Sequence, residues 1–293
     1  MLIEEYVEFT VSRFSESDLH YGHGTGTALD EAVYLIYVTL GLEFDQDFRE
    51  SNRTISESEI SLLNQRVEQR VSERRPVAYI VGEAWFCGQP YTIDERALIP
   101  RSPIAELIQQ RFAPLLQSTP GRILDLCCGS GCIGIACALE FEATEVDLAD
   151  LSSESLELAK INMHRHGTFD RVHAIQSDVF SNLSGQRYDL VVSNPPYVSE
   201  QEVESLPAEF GHEPRMGLVS GEEGLAIPLK ILRECHQHLH PDGVLILEVG
   251  YSAGALAERL PEVPFLWLEF AEGGEGVFAI TAKDLGRYRD YLN

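Results

Sequence analysis

The sequence predicts an α/β fold in which a mainly parallel sheet ends in an antiparallel hairpin, preceded by a helical domain and a small β-hairpin. Three observations lead to this prediction. β-type and helix-type runs alternate from about Gly121 onward, a pattern typical of a parallel sheet covered by helices on both faces. The last two strand candidates, 264–270 and 276–282, are joined by the loop 271–275, which is too short for a helical crossover and favours antiparallel pairing. Residues 1–75 instead place apolar side chains at helical spacing.

Residues 1–75 are predicted to form an N-terminal helical domain. Apolar residues recur at helical spacing in two stretches before the third helix. That third helix opens with Ser56–Glu59 in a capping-box pattern, and Pro76 marks its end. The Gly-rich loop 21–26 does not follow a strand, so we expect no nucleotide to bind there.

Residues 76–101 are predicted to form a β-hairpin linker to the main domain, 102–293. Three short β-rich runs, 77–80, 84–87 and 91–93, are separated by glycine and proline. In the main domain a helix follows Pro103, the strand candidates are 122–127, 145–149, 171–176, 188–193, 243–249, 264–270 and 276–282, and the helix candidates are 131–141, 153–166, 223–240 and 252–260.

The composition indicates one large domain or two unequal ones, since 44% of the 293 residues are hydrophobic. No run of about 18 apolar residues is present, and the acidic start Met1–Glu5 does not resemble a signal peptide. We therefore expect a cytoplasmic protein without a membrane segment. The six cysteines lack zinc-finger spacing, so we expect no metal site and interpret them as reduced thiols.

The net charge is strongly negative, −25 from 22 basic and 47 acidic residues. Binding to a nucleic-acid backbone needs clustered lysine and arginine. The charge therefore disfavours a direct nucleic-acid target, and it fits a basic partner or a small molecule better.

The turn Gly129-Ser130-Gly131 lies between a predicted strand and a predicted helix, where glycines let the backbone approach a ligand closely. It lacks the Gly-Lys-Ser/Thr of a phosphate loop, which disfavours ATP. We also interpret the turn as lacking the third glycine of the dinucleotide fingerprint, which disfavours NAD. Asp125, just before the turn, would repel a phosphate and suits a cationic ligand.

Acidic residues also end the next two strands. Asp150 is placed to reach ribose hydroxyls, as an acid does at this point in open α/β folds. Asp178 and the adjacent Val179 suit the amino group and the ring face of adenine. The carboxyl ends of consecutive parallel strands meet at one edge of the sheet. A cation near Asp125, a ribose and an adenine together predict S-adenosylmethionine as the cofactor.

The tetrapeptide Asn194-Pro195-Pro196-Tyr197 follows the strand candidate 188–193. Its two prolines fix a stiff, non-helical backbone. The Asn194 oxygen and a backbone carbonyl can accept both N–H groups of a planar amide or amino group, and the Tyr197 ring can pack on its face. We expect these four residues to be catalytic, with Asn194 also beside the cofactor, and the chemistry to act on a flat, poorly basic nitrogen.

These motifs resemble those of the class I methyltransferases, namely Asp125-x-x-x-Gly129-x-Gly131, the two strand-end acids and Asn194–Tyr197. The resemblance covers residues 121–293 and implies a Rossmann-like, seven-stranded sheet with the last strand antiparallel. It also implies that the acceptor is a planar nitrogen, because members with Asn-Pro-Pro-Tyr methylate adenine N6 in DNA, guanine N2 in ribosomal RNA, or the side-chain amide of a protein glutamine.

Sequence outside this core resembles the protein N5-glutamine methyltransferases, through Arg75–Ile80, Trp85–Gly88 and Leu98–Arg101. The last motif continues to Glu106 as Pro-Arg-Ser-Pro-Ile-Ala-Glu, unlike the Pro-Asp/Glu-Thr-Glu of the branch that modifies release factors. It resembles the branch that methylates a glutamine of the third protein of the large (50S) ribosomal subunit, which implies a basic ribosomal protein as the substrate. Further matches are Ser12–Phe14, Tyr21–Gly24, Asp30–Val33 and Gly273–Phe278.

Three more residues, Phe86, Arg101 and Glu248, are expected to line the substrate pocket. The segment from His212 to Leu225, which follows the tetrapeptide and contains several glycines, is interpreted as a mobile lid or a plain surface loop. Other functions stay open: glutamine methylation of a release factor, methylation of an amino group in DNA or RNA, and a non-catalytic assembly factor that binds a basic ribosomal protein. No basic target-recognition region is visible, which disfavours the nucleic acids. The presence of both Asn194 and Asp125 disfavours the non-catalytic alternative.

Overall fold

The computed structural model describes residues 1–271 and 273–292; Glu272, which falls in the predicted hairpin loop, and Asn293 lie outside the described residues. The helices are α1 (Ile3–Ser15), α2 (Ala28–Leu40), α3 (Glu57–Ser72), α4 (Val77–Val81), α5 (Ile104–Gln109), α6 (Cys132–Glu140), α7 (Ser153–Arg165), α8 (Glu200–Val203), α9 (Arg215–Leu218), α10 (Ala226–Cys235), α11 (Ala253–Arg259) and α12 (Ala282–Arg287). The strands are β1 (Glu83–Phe86), β2 (Gln89–Thr92), β3 (Arg122–Leu126), β4 (Glu145–Asp150), β5 (Val172–Gln176), β6 (Tyr188–Ser193), β7 (Leu239–Glu248), β8 (Leu266–Trp267) and β9 (Val277–Thr281).

The N-terminal part of the chain is a three-helix unit with its own apolar core. Helices α1, α2 and α3 contact one another around buried residues that include Phe14, Leu35 and Leu63. The predicted capping box is confirmed, because Ser56 Oγ accepts the Glu59 N–H at 3.3 Å and the Glu59 carboxylate accepts the Ser56 N–H at 2.8 Å. The pair satisfies two amide donors that the start of a helix leaves free.

One predicted β-type run is wrong, because Val77–Val81 forms the short helix α4. Pro76 before it has a φ of −56°, and Gly82 after it has a left-handed φ of 75° that ends the helix. Val77 and Tyr79 are buried, and α4 packs on α2 and α3, so tertiary packing overrides the β propensity of these residues. The other two runs pair as the antiparallel hairpin β1–β2.

The sheet of the main domain has seven strands in the order β5-β4-β3-β6-β7-β9-β8. The first five strands in this order, β5, β4, β3, β6 and β7, are parallel to one another, and β9 is antiparallel to both β7 and β8. The prediction of a mainly parallel sheet with an antiparallel last strand is confirmed. Strand β8 covers only Leu266–Trp267, less than the predicted 264–270, and helix α12 lies outside the predicted helices.

Each face of this sheet has its own apolar core. Helices α5 and α6 supply buried residues such as Ile104 and Ile135 on one face, and α10 and α11 supply residues such as Leu229 and Leu256 on the other. Because successive side chains of a strand point to opposite faces, Ile123 of β3 belongs to the first core and the next residue, Leu124, belongs to the second. The helices therefore cover the faces and leave the carboxyl ends of the strands accessible.

Strands β3 and β6 are neighbours at the centre of the sheet, where the strand order reverses. Leu126 pairs with Ser193 at their carboxyl ends, and Ser193 Oγ donates to the Leu126 carbonyl at 2.5 Å. Open α/β sheets bind ligands at such a reversal. The glycine turn after β3 and the tetrapeptide after β6 therefore leave the sheet side by side.

A buried ion pair joins the N-terminal domain to the main domain. Arg70 on α3 is 0% exposed. Its Nε donates to Glu31 Oε2 at 2.8 Å, its Nη1 to Glu209 Oε1 at 3.0 Å, and its Nη2 to the His20 carbonyl at 2.8 Å. Glu31 lies in the same domain, whereas Glu209 lies between β6 and α10 of the main domain. One guanidinium thus connects both parts.

A second buried carboxylate, Glu213, joins the main domain to the linker. Its oxygens accept Arg101 Nη1 at 2.6 Å and Nη2 at 2.8 Å, and Oε1 also accepts the Ile99 N–H at 3.1 Å. His23 Nε2 lies 3.7 Å from Oε2. Burial alone would raise the pKa of Glu213, but the adjacent His23 side chain and the hydrogen bonds and charge of Arg101 outweigh it and lower the pKa to about 2.

Replacing Glu213 by glutamine should lower the free energy of unfolding by about 3 kcal/mol at neutral pH, because it removes a buried, paired charge. The folded-state pKa is below the ordinary value of 4.5, so this stabilisation is complete above about pH 4.5 and is lost as the pH falls toward 2. Urea unfolding of wild type and E213Q should therefore show a difference that shrinks below about pH 4.5. A difference that stays constant down to about pH 3 would contradict this account.

The control is Glu157→Gln, which breaks an exposed pair with Lys160 at 2.7 Å. Exposed pairs contribute little to stability. This variant should unfold as the wild type does at every pH.

Candidate active site

A cavity of about 690 Å³ opens at the carboxyl ends of β3, β4, β5 and β6. Its lining includes residues at the end of each of these strands or directly after it, namely 127–130, Asp150, 177–179 and 194–198. The structure therefore brings together the glycine turn, the strand-end acids and the tetrapeptide. Residues 95–102, at the end of the linker and the start of the main domain, close another side.

Both glycines of the turn have left-handed φ values, 55° at Gly129 and 77° at Gly131. The Gly129 N–H donates to Asp150 Oδ2 at 2.9 Å, which ties the turn to the end of β4. Gly129 and Ser130 line the cavity, but Gly131 does not. A Cβ at Gly131 would lie 3.0 Å from Leu148 Cδ1, so this glycine allows α6 to pack closely on the sheet.

A third glycine, Gly134, completes a Gly-x-Gly-x-x-Gly spacing with Gly129 and Gly131. The expectation that this turn lacks the third glycine of the dinucleotide fingerprint is therefore wrong, although the signal is visible in the sequence. A Cβ at Gly134 would lie 2.3 Å from Leu148 Cδ2 and 2.9 Å from Asp125 Cβ. Its role is close packing of helix on strand.

Asp125 lies behind the cavity and does not line it. Its side chain is fully buried; Oδ2 accepts the Gly134 N–H at 2.8 Å, and Oδ1 has no partner among the described residues. Burial raises the pKa of Asp125 to about 8 against the opposing effect of the Gly134 N–H. The structure thus corrects the expectation that Asp125 faces a cation, because its carboxyl braces the start of α6.

Asp150 and Asp178 do line the cavity, as expected. Asp150 Oδ1 accepts the Ser152 N–H at 2.8 Å, and burial raises the pKa of Asp150 although backbone N–H bonds oppose it. Asp178 is half-exposed and pairs with Lys230 Nζ at 2.7 Å. Val179 is buried in the lining with a φ of 53°, a conformation that is rare for a β-branched residue and that concentrates at functional sites.

The tetrapeptide leaves two hydrogen-bond acceptors free at the end of β6. Asn194 and Pro195 both line the cavity. Within the described part of the chain, no hydrogen bond uses the Asn194 side-chain amide or the Pro195 carbonyl. Each oxygen can therefore accept an N–H from a bound group. The proline ring restricts the backbone that carries the second acceptor.

Tyr197 is held on three sides. Its hydroxyl donates to Glu248 Oε1 at 3.1 Å, and Ser102 Oγ donates to Glu248 Oε2 at 2.5 Å. The backbone carbonyl of Tyr197 accepts a hydrogen bond from the Ser252 hydroxyl at 2.9 Å. A Cβ at Gly250 would lie 2.5 Å from the Tyr197 ring. Burial, followed by the nearby Glu248 charge, raises the pKa of Tyr197, so the phenol stays neutral.

Of the three residues expected in the substrate pocket, only Arg101 lines the cavity, and its guanidinium is engaged by Glu213. Glu248 is buried behind Tyr197 and contacts the cavity lining through the hydroxyls of Tyr197 and Ser102. Phe86 belongs to the apolar core under the hairpin and is 5% exposed. The structure therefore corrects the placement of Phe86 and Glu248.

One wall of the cavity, which we define as residues 207–219, goes beyond the sequence prediction, which covers part of it only as a lid or surface loop over 212–225. Phe210, Pro214 and Met216 of this wall line the cavity. The segment contains the four-residue helix α9, and its apolar residues follow no helical or strand period. Local patterning therefore does not identify it as a wall of the cavity.

No group of histidine, cysteine and carboxylate side chains within residues 1–271 and 273–292 is arranged to hold a metal ion. Burial raises the pKa of the four thiols that crowd the glycine turn and α6. Among the described helices, none is both long and apolar enough to cross a membrane.

Comparison with known proteins gives matches over most of the chain. The methyltransferase small domain family matches residues 107–223. The catalytic domain of hMettl16, solved with the MAT2A 3'UTR hairpin 1, matches 78% of this chain and 81% of its own with a TM-score of 0.51 and 15% identity. This likeness shows a shared fold.

Two relatives are much more similar in sequence. The ribosomal protein uL3 glutamine methyltransferase of Francisella tularensis is 42% identical over 290 residues, 98% of this chain and 92% of that protein. The protein of the same name from Xylella fastidiosa is 44% identical over 294 residues, 99% of this chain and 93% of that protein. The chain therefore belongs to the family of the ribosomal protein uL3 glutamine methyltransferases.

Proposed function

We propose that this protein transfers a methyl group from S-adenosylmethionine to the side-chain amide nitrogen of a glutamine in ribosomal protein uL3. The names of the two relatives support this acceptor. The observation that carries the proposal is the pair of free acceptor oxygens, the Asn194 side chain and the Pro195 carbonyl, beside the fixed Tyr197 ring. A primary amide has two N–H groups for these acceptors and a flat face for the ring.

The residues of the cavity fit S-adenosylmethionine. The volume of about 690 Å³ lies within the usual range for ligand sites. Two backbone N–H groups hold the Asp150 carboxylate, and each of its oxygens keeps a lone pair for a ribose hydroxyl. Val179 offers an apolar surface and Asp178 a carboxylate for adenine. When bound, the cofactor supplies a methyl group on an electrophilic sulfonium.

The task of the protein is to position a weak nucleophile. An amide nitrogen delocalises its lone pair into the carbonyl group, so the nitrogen must be polarised and aimed. Acceptance of both N–H groups by Asn194 and Pro195 concentrates negative potential on the nitrogen. The N-methyl amide cation is a strong acid and loses its proton to solvent, so the site needs no dedicated base.

Tyr197 restricts the plane of the substrate amide. Its ring orientation follows from the Glu248 hydrogen bond and from the space that Gly250 leaves. A neutral, immobile ring can pack on the amide without competing for its N–H groups.

Charge supports a basic protein as the acceptor. Among the residues that the structure describes, two basic side chains line the cavity, Arg96 and Arg101. Arg96 pairs with Asp94 at 2.6 Å and Arg101 with Glu213 at 2.6 Å, so both are already neutralised by carboxylates. A phosphate backbone would meet no free cation there, and the net charge of −25 would repel it.

Replacing Asn194 by alanine should lower kcat at saturating cofactor by about 10²- to 10³-fold, because one of the two oriented acceptors is lost. Methyl transfer from labelled S-adenosylmethionine to purified uL3 measures this. The control is Asn182→Ala, which removes an amide that bonds the Gln176 carbonyl and does not line the cavity. Near-normal turnover of N194A would contradict the proposed role.

Purified uL3, a release factor, ribosomal RNA and DNA should be offered labelled cofactor in parallel. We expect the label on uL3 alone, at one glutamine located by mass spectrometry. Label on RNA or DNA would contradict the proposed acceptor class.

Free uL3 should be methylated faster than mature large subunits, because exposed RNA phosphates repel a chain of charge −25. Added salt should narrow the difference in rate by screening this repulsion. Equal rates at low salt would contradict methylation before or during subunit assembly.

A further inference from the structure

The wall of the cavity is attached to the N-terminal domain as well as to its own flanking elements. Glu209, near the start of the wall, is 0% exposed. Its Oε1 accepts Arg70 Nη1 at 3.0 Å and the His20 N–H at 2.9 Å, and Arg74 Nε lies 3.5 Å away. Three donors of the N-terminal domain therefore converge on one carboxylate of the wall.

The Gly-rich loop near Tyr21, for which the sequence alone indicates no role, also lies against the wall. The rings of His20 and His23 are 5.6 and 4.5 Å from the ring of Phe210. His23 Nε2 is also 3.7 Å from Glu213 Oε2. Because Phe210 lines the cavity, contacts run without interruption from the N-terminal domain to the cavity surface.

The wall is connected in turn to the tetrapeptide. The Val198 N–H donates to the Leu218 carbonyl, and the Ser220 N–H donates to the Val198 carbonyl, each at 2.9 Å. These bonds join the wall to the residue that follows Tyr197. On the cofactor side, by contrast, Asp150 is held by the turn and by Ser152, without a hydrogen bond from residues 1–75.

We infer that the N-terminal domain positions the protein acceptor, because its Arg70–Glu209 pair holds the wall against which the glutamine-bearing segment binds. The inference rests on the proposed function, since it assigns the wall to a protein acceptor. Glu209 does not line the cavity and is therefore a positioning residue. Weakening the pair should impair binding of the acceptor and leave binding of the cofactor unchanged.

The test is Glu209→Gln in the full-length chain. The neutral amide cannot hold Arg70 as an ion pair, and hydrogen bonds to charged groups are strong enough that their loss changes a binding constant about tenfold or more. We expect the KM for uL3 to rise about tenfold, with the dissociation constant for S-adenosylmethionine within about twofold of wild type.

The matched control is Glu31→Gln. Glu31 is the other buried carboxylate on Arg70, at 2.8 Å, but it lies on α2 inside the N-terminal domain. This variant should lose stability and keep the wild-type KM for uL3. Comparing the two variants separates attachment of the wall from stability of the domain. If the pair had only a structural role, the two variants would not differ in their KM for uL3.

Equal increases in KM for the two variants, an unchanged KM for E209Q, or equal losses of acceptor and cofactor binding would overturn the inference. If E209Q does not fold, Arg70→Lys is the second variant, because it keeps the charge and removes the forked geometry of the guanidinium. The same rise in the KM for uL3 with normal cofactor binding then supports the inference. An unchanged KM for uL3 overturns it. Failure of the wild type to methylate uL3 would instead refute the proposed function, so the two failures are distinct.

Discussion

The pairing of β3 with β6 is the constraint on which the site depends. Leu126 lies opposite Ser193, and the Ser193 hydroxyl bonds the Leu126 carbonyl, so both strands end at the same level. The strand order reverses at this pair, and the following chain diverges to both sides. The glycine turn and the tetrapeptide therefore face one cavity. A change in register here would separate these two segments.

Each functional surface of the cavity rests on a buried carboxyl group. Asp125 supports the start of α6 beneath the glycine turn, Glu248 holds the Tyr197 hydroxyl, and Glu209 and Glu213 hold the wall. Burying a carboxyl group costs free energy unless hydrogen bonds compensate for it, and the cost is larger when the group is charged. Each of these acids therefore specifies one arrangement of the donors that meet it. The many exposed acids of the chain lack this geometric role and set its overall field.

The sequence predicts what local periodicity and strand-end position determine. It places the strands, the antiparallel end of the sheet, and Asp150, Asp178 and the tetrapeptide at the cavity. It does not predict the depth to which Asp125 is buried, because that depends on how closely α6 packs on β3. The bond from Ser102 to Glu248 joins residues 146 positions apart, which no local pattern can show. The wall likewise depends on contacts with the distant N-terminal domain.

An amide acceptor explains why this site is built for rigidity. With a weak nucleophile and no base to accelerate the reaction, the rate depends on how well the nitrogen and the methyl donor are aligned. Prolines fix the acceptor carbonyl, and Tyr197 is held by hydrogen bonds at both its hydroxyl and its carbonyl. Their conformational entropy is already lost on folding, so little is lost again in the transition state. On the proposed function, contacts far from the methyl group, such as Arg70 with Glu209, act on the reaction because they determine where the wall holds the acceptor.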